Sequence, residues 1–288
     1  MELDFLAHIA FVSTYNVMSV ILMALGLSII FGVMGVINMA HGEFMMLGAY
    51  TVAVGVSNGL PLWVSMVLAP IIVGLIGLAI ERAIIRHLYG RILDTILATW
   101  GISLLMIQLI IVIFGTVFRS IATPLGSVSF GNYAVSEYNF VVMAITGLLM
   151  LGVFLSFSRT RFGIEAQAVA QLPETASALG VNSERVQMLT FAFGSALAGL
   201  AGALLSPTLG VVPQMGLTFV DRSFMGVIVG GQAIITGLST AAAMLGVTQS
   251  VVGILTQPFI GQAAMLIVAL VVLRILPIGV SGKWRRQL

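Results

Sequence analysis

The stretch VMSVILMALGLSIIFGVMGV, residues 17–36, contains twenty consecutive residues without a charged side chain. An α-helix rises about 1.5 Å per residue, so about twenty apolar residues cross the roughly 30 Å hydrocarbon core of a bilayer. The stretch also lacks the alternation of apolar and polar residues that a membrane β-strand would show. It therefore predicts a transmembrane helix and an all-α membrane fold.

The composition extends this prediction to the whole chain. Of its 288 residues, 59% are hydrophobic and 8% are charged, whereas about a quarter of the residues of a soluble domain are charged. Further apolar stretches cover residues 44–56, 62–80, 95–117, 140–157, 188–205 and 224–276. The sequence predicts one transmembrane domain over residues 1–288, built as a polytopic helical bundle of about eight spans.

The last apolar stretch is long enough for two or three passes, and glycines interrupt it at positions 230, 231, 237, 246 and 253. Polar residues likewise separate the apolar stretches on either side of residues 35–48. Broken helices in a membrane protein accompany a pathway for solute, because irregular backbone must line a wet cavity or be covered by protein. The sequence therefore predicts that the bundle includes broken or re-entrant segments.

Basic residues concentrate in three regions, which the positive-inside tendency places in the cytoplasm. These regions contain Arg82, Arg86 and Arg91, then Arg159, Arg161 and Arg185, and finally Lys283, Arg285 and Arg286. This distribution predicts a multi-pass protein of the cell inner (plasma) membrane with a cytoplasmic C-terminus. The net charge is only +2 at a pI near 9.3, and the cations are explained by membrane orientation. We therefore expect the lipid bilayer as a partner and no nucleic acid.

Three polar side chains, Asn38, His41 and Glu43, follow an otherwise apolar helix. Burying such groups unpaired costs several kcal/mol each, so they must be paired, hydrated or both. Two interpretations remain open: a polar turn that caps neighbouring helices, or a turn that lines or gates a solute path. Metal binding is not expected, because His8 and His87 lie at no spacing that would complete a ligand set.

The only long polar segment of the sequence covers residues 158–187. Residues 165–171 have helical character, Pro173 can begin a second helix, and Gly180 can end it. Two short amphipathic helices on the cytoplasmic face predict a docking surface rather than a simple connecting loop.

A third polar segment covers residues 213–224 at an outer membrane edge and contains Gln214 and Asp221. These two residues are outer-face candidates. They could mark the membrane interface, contact solute or meet an extracytoplasmic partner.

The sequence contains no catalytic motif. Its single lysine, Lys283, follows Gly282 but lacks the earlier glycine that a phosphate-binding loop requires. Neither a nucleophile elbow nor a zinc-protease helix occurs. We therefore expect no enzyme activity, catalytic residue, metal or cofactor in this chain. Active transport would need energy from another protein, whereas a passive channel for urea or a similar small neutral solute is the alternative.

The run GLSIIFGVMGVINMAHGEFMMLGAY, residues 26–50, resembles the signature of permease subunits of branched-chain amino acid ABC importers. The runs RTRFG at 159–163, ASALGV at 176–181 and LTFAFG at 189–194 resemble their coupling region. The runs LDTILATWGISL at 93–104 and VPQMG at 212–216 are similar to the urea-transporting branch of that family.

This resemblance implies import of a small solute of the branched-chain amino acid, urea or short-chain amide class. It also implies a second homologous permease subunit, two cytoplasmic ATPase subunits that bind ATP, and a periplasmic or extracellular solute-binding protein. The translocation candidates are Asn38, His41 and Glu43. The coupling candidates within the 158–187 coupling-helix segment are Arg161, Gly163, Glu174 and Gly180.

Overall fold

The computed structural model describes residues 2–131, 133–231 and 233–282. Its α-helices are α1 (Glu2–Met34), α2 (His41–Ser57), α3 (Leu62–Ala83), α4 (Ile92–Phe114), α5 (Glu137–Arg159), α6 (Arg161–Gln171), α7 (Pro173–Ala178), α8 (Ser183–Leu209), α9 (Met215–Gly230), α10 (Thr236–Leu255) and α11 (Pro258–Ile275). A 3-10 helix covers Ile85–Leu88, and β1 (Ser127–Phe130) pairs antiparallel with β2 (Tyr133–Ser136). Lys283, Arg285 and Arg286, which contributed to the prediction of a cytoplasmic C-terminus, lie outside the described residues.

The predicted polytopic helical bundle is confirmed. Among the described residues, seven helices are long and apolar enough to cross a membrane: α1, α3, α4, α5, α8, α10 and α11. Helices α2 and α9 have 17 and 16 residues, which is short of the roughly 20 residues of a full span. The predicted count of about eight therefore corresponds to seven long helices and two shorter ones.

The chain forms two compact units, and each unit is assembled from separated parts of the sequence. The first unit contains residues 2–24, 123–150 and 222–282, and the second contains residues 25–122 and 151–221. Each of the helices α1, α5 and α9 has residues in both units. The single transmembrane domain over residues 1–288 stays a prediction.

The first unit contains the predicted break in the glycine-rich stretch. Helix α9 ends at Gly230, and Gly231 adopts a φ of 79°, a left-handed conformation that favours glycine. The free backbone groups at this break are used locally, since the amide of Val280 donates to the carbonyl of Val229 over 2.8 Å. Helices α9, α10 and α11 then share an apolar core that includes Leu245 and Met265.

The second unit is organised around the small residues of α8. A Cβ atom added at Gly48 of α2 would lie 1.9 Å from the carbonyl oxygen of Gly199, and one added at Gly202 would lie 1.8 Å from the carbonyl oxygen of Met45. A Cβ atom at Gly77 of α3 would lie 2.4 Å from the Ser195 hydroxyl. Small residues spaced four apart on α8 therefore let two helices approach at backbone distance, as membrane helices often do.

Candidate functional site

The first candidate site lies at the turn between α1 and α2. Helix α1 ends at Met34, and Gly35 follows with a φ of 64° while its amide donates to the carbonyl of Phe31 over 3.0 Å. A residue with a side chain would be strained in this left-handed conformation. Gly35 thus ends the apolar helix and directs the chain into the polar residues that follow.

Asn38 shapes this turn and is itself fully buried. Its side-chain Oδ1 accepts from the amide of Ala40 over 3.1 Å, and its carbonyl accepts from the amide of His41 over 3.3 Å. An asparagine side chain that bonds two residues ahead is a common turn device. The Nδ2 group of Asn38 has no hydrogen-bond partner among the described residues. The Oδ1 atom therefore stabilises the turn, and the Nδ2 group remains available to donate to another partner.

Helix α4 presents three buried hydroxyl groups at intervals of four residues, on Thr95, Thr99 and Ser103. The hydroxyl of Thr99 accepts from the amide of Met39 over 3.1 Å and donates to the carbonyl of Thr95 over 2.8 Å. The α1–α2 turn is therefore fastened to this face of α4. Sequence reasoning did not single out these hydroxyl residues, although their spacing of four within residues 93–104 was a readable signal.

Glu43 lies in the first turn of α2 with its side chain fully buried. Neither carboxylate oxygen has a hydrogen-bond partner among the described residues, and the Ser103 hydroxyl of α4 lies close to the carboxylate. An unpaired buried carboxylate costs several kcal/mol unless a proton or a ligand compensates it. His41 is also fully buried, so the three predicted residues lie together in one short buried turn.

The start of α9 packs on this turn. A Cβ atom added at Gly42 would lie 2.0 Å from the carbonyl oxygen of Gly216. The outer-face candidate Gln214 is exposed just before this contact, and Asp221 is exposed on α9. The polar segment 213–224 is helical from Met215 onward, and Gly216 permits the close contact of this helix with Gly42.

The second candidate site is the coupling-helix segment. The Thr160 hydroxyl accepts from the amide of Gly163 over 3.2 Å at the start of α6, and Gln167 Nε2 donates to the carbonyl of Phe157 over 2.6 Å. A Cβ atom at Gly163 would lie 2.4 Å from the Cα atom of Phe157. Gly163 is therefore required by the sharp corner between α5 and α6.

Helix α7 begins at Pro173 and ends as the sequence predicts. Gly180 has a φ of 92°, and the amide of Val181 donates to the carbonyl of Ala176 over 3.0 Å, which is the hydrogen-bond pattern of a Schellman C-cap. The hydroxyl groups of Ser177 and Ser183 lie 2.7 Å apart and connect α7 to the start of α8. A side-chain contact therefore joins the end of α7 to the first residue of α8.

Three apolar side chains of this segment are exposed at positions that lie between the candidate spans α5 and α8. The exposed fractions are 62% for Ile164, 62% for Leu172 and 81% for Leu179. The charged candidates Arg161 and Glu174 are exposed beside them. Exposed apolar residues among polar ones are typical of a protein-binding surface, and sequence reasoning had named only the charged residues and glycines.

In the part of the chain that the structure describes, no three His, Asp or Glu side chains gather in a way that could hold a metal ion. The expected absence of a metal, a cofactor and catalytic residues stays a prediction.

A family model described as "Branched-chain amino acid transport system / permease component" matches residues 9–276. The permease protein BraD of a high-affinity branched-chain amino acid transport system of Pseudomonas aeruginosa is 30% identical over 247 residues, which cover 80% of each chain. The corresponding permease protein LivH of Escherichia coli is 27% identical over 281 residues, covering 91% of each chain.

Among solved structures, PsaBC from Streptococcus pneumoniae in complex with Fab matches 96% of this chain and 95% of that chain with a TM-score of 0.52. Its 14% sequence identity supports a shared fold alone. The family model covers most of the chain and both relatives are transport permeases, in agreement with the resemblance in residues 26–50. Together with the seven apolar helices long enough to cross a membrane among the described residues, these matches identify a multi-pass inner-membrane protein. This chain therefore belongs to the permease-component family of branched-chain amino acid transport systems.

Proposed function

We propose that this chain is the membrane-spanning permease subunit of an ABC importer for a small solute of the branched-chain amino acid, urea or short-chain amide class. The observation that carries the proposal is the family match over residues 9–276. The names of the two relatives favour a branched-chain amino acid. The runs at residues 93–104 and 212–216 resemble the urea-transporting branch, so the proposal includes urea and short amides as possible solutes.

The α1–α2 turn supports a role in translocation. Asn38, His41 and Glu43 are fully buried, and Glu43 keeps two carboxylate oxygens without hydrogen-bond partners. The amino group of an amino acid, or the N–H groups of urea, could satisfy such acceptors. Among the described residues, Asn38 Nδ2 and the Glu43 carboxylate have no hydrogen-bond partner, so they could bind solute transiently, as a transport pathway requires.

The 158–187 segment supports coupling to separate ATPase subunits. Leu172 and Leu179 project from the two ends of α7, and Glu174 and Arg161 supply charges beside them. The rigid C-cap at Gly180 and the contact between Ser177 and Ser183 would carry a displacement of α7 into α8. ATP would be bound by the partner subunits, and a second homologous permease and a solute-binding protein would complete the importer.

The experiment is uptake of labelled leucine and of labelled urea by cells that express this chain with the products of the neighbouring genes of its operon. A matched strain carries an ATPase subunit inactivated at its ATP site. Accumulation against a gradient that the inactive ATPase abolishes supports the importer, and the accumulated solute assigns the branch. Equilibrating flux of urea that is independent of the ATPase would overturn the importer in favour of a passive channel.

A further inference from the structure

A cavity of about 280 Å³ lies where α3 ends and α8 begins, and arginines line it. We call it the arginine pocket and define it by Arg82, Arg86, Arg185, Asn182 and Met188, together with the carboxylates of Glu81 and Glu184. All of these residues belong to the second unit. Asn182, Glu184 and Arg185 belong to the end of the 158–187 segment, but the coupling candidates Arg161, Gly163, Glu174 and Gly180 do not line this cavity.

Both acidic side chains of the pocket are already engaged. Glu184 forms an ion pair with Arg86, with Nη2 and Oε2 separated by 3.1 Å. Glu81 is almost fully buried and accepts a hydrogen bond from the Tyr89 hydroxyl. Burial and the neighbouring Glu81 carboxylate raise the pKa of Tyr89, so this hydroxyl remains a proton donor at physiological pH.

The remaining two arginines have no such partner. Among the described residues, the guanidinium groups of Arg82 and Arg185 form neither an ion pair nor a hydrogen bond. Both side chains are exposed to the cavity and to solvent. The pocket therefore offers two free cations, each a planar fork of N–H donors suited to phosphate oxygens.

The position of the pocket in the fold indicates what could fill it. Arg82 lies in the last turn of the candidate span α3, and Arg185 and Met188 lie in the first two turns of the candidate span α8. The ends of spanning helices lie at the level of the phospholipid headgroups. Basic pockets between spanning helices at this level bind anionic headgroups.

The other lining groups suit the same ligand. Asn182 Oδ1 accepts from the amide of Arg185 over 2.9 Å, which leaves the Asn182 amide nitrogen able to donate to a phosphate oxygen. Met188 gives the pocket one apolar wall, as the glycerol and first acyl carbons of a lipid need. An acidic side chain of a partner protein would use the arginines and leave this wall without a function.

We propose that the arginine pocket binds the phosphate group of an anionic phospholipid through Arg82 and Arg185. The bound lipid fixes the start of α8 to the end of α3. This role is independent of which solute the protein carries.

The experiment is native mass spectrometry of the full chain extracted in detergent and titrated with phosphatidylglycerol, with phosphatidylethanolamine of the same acyl chains, and with inorganic phosphate. The test variant is the double substitution Arg82→Gln and Arg185→Gln. The matched control is the double substitution Arg159→Gln and Arg274→Gln, which removes two exposed arginines from the last turns of α5 and α11.

We expect phosphatidylglycerol to bind in preference to phosphatidylethanolamine. A basic residue near anionic lipid contributes about fivefold to binding, so the pocket variant should lose about 25-fold. Arg159 and Arg274 do not line the pocket, so the control variant should keep binding at this site. If the double variant fails to elute as a folded species, the single substitutions Arg82→Gln and Arg185→Gln should each lose about fivefold.

Three results would overturn the proposal. The first is equal lipid binding by the pocket variant and the wild type. The second is saturation of the pocket by inorganic phosphate alone with no preference for phosphatidylglycerol, which would make it a free-anion site. The third is unchanged lipid binding together with loss of ATPase association, which would assign the arginines to an acidic partner protein.

Discussion

The backbone of Gly42 lies directly against the backbone of Gly216, so that a Cβ atom at Gly42 would come within 2.0 Å of the Gly216 carbonyl oxygen. Gly42 is the residue between His41 and Glu43, and Gly216 follows Gln214 by two positions. Two polar segments separated by more than 160 residues in sequence are thus joined by a glycine pair. The position of Glu43 in the second unit depends on this close approach.

Replacement of Gly42 by alanine should destabilise the protein, because the added methyl group meets backbone that cannot rotate away. Overpacking of this kind costs about 1–3 kcal/mol. Thermal unfolding of the purified chain in detergent measures the effect. The control is Gly101→Ala, where a Cβ atom meets nothing within 4 Å, and an equal loss of stability in both variants would contradict the proposed contact.

Glu43→Gln should lower solute uptake by about tenfold or more, the equivalent of roughly 1.4 kcal/mol in the transport barrier. The substitution preserves size but removes the carboxylate that would bind the solute. Stability should be unchanged or higher, because a buried carboxylate without partners is replaced by a neutral group. Uptake and thermal unfolding are measured on the same variant.

The matched control for this experiment is Glu137→Gln, a partly exposed carboxylate at the start of α5. It should leave uptake at the wild-type rate. Normal uptake by the Glu43 variant would contradict a role of Glu43 in solute binding. Reduced stability, with uptake reduced only in proportion to the amount of folded protein, would assign Glu43 a structural role instead.

Gly180→Ala should uncouple ATP hydrolysis from uptake in the assembled importer. A residue other than glycine in the left-handed conformation costs about 1–2 kcal/mol, so the C-cap of α7 would shift toward another geometry. Glu174→Gln, at the exposed start of α7, should have the same effect by removing a charge at the docking surface. Uptake per ATP hydrolysed is the quantity to compare.

Gly90→Ala is the control for backbone strain alone, because Gly90 also has a positive φ, of 78°, and open space around its Cα atom. It should cost comparable stability and leave the ratio of uptake to hydrolysis unchanged. Coupled uptake at the normal ratio in both the Gly180 and the Glu174 variants would exclude α7 as the coupling element.

Tyr89→Phe should destabilise the protein by about 1–3 kcal/mol near neutral pH, because the buried Glu81 carboxylate loses its donor. The pKa of Tyr89 is raised in the folded protein. Below the unfolded phenol pKa of about 10 this stabilisation is complete, and it is lost as pH rises above that value because only the unfolded state releases the proton. The stability difference between wild type and variant should therefore shrink above pH 10 in thermal unfolding, whereas a constant difference would contradict the proposed hydrogen bond.

The fold class and much of the local structure could be predicted from the amino-acid sequence. Long uncharged stretches such as residues 17–36 can only be satisfied in lipid as helices, because each backbone group must find its partner within the same segment. Local rules were sufficient for Pro173 and Gly180 at the two ends of α7 and for the glycine break after α9. The resemblance in residues 26–50 was sufficient to indicate the family.

The contacts between residues far apart in the sequence could not be predicted in this way and became visible in the packed helices. The hydroxyl groups of Thr99 and Ser103 reach the α1–α2 turn, and Gly216 reaches Gly42, through helix packing between segments far apart in sequence. The exposure of Leu172 and Leu179 is likewise a property of neighbours rather than of spacing, as is the lack of ion-pair partners for Arg82 and Arg185 among the described residues. The hydrophobicity of a local stretch of sequence indicates where a membrane helix forms. The contact partners of a polar or small side chain depend instead on how those helices pack.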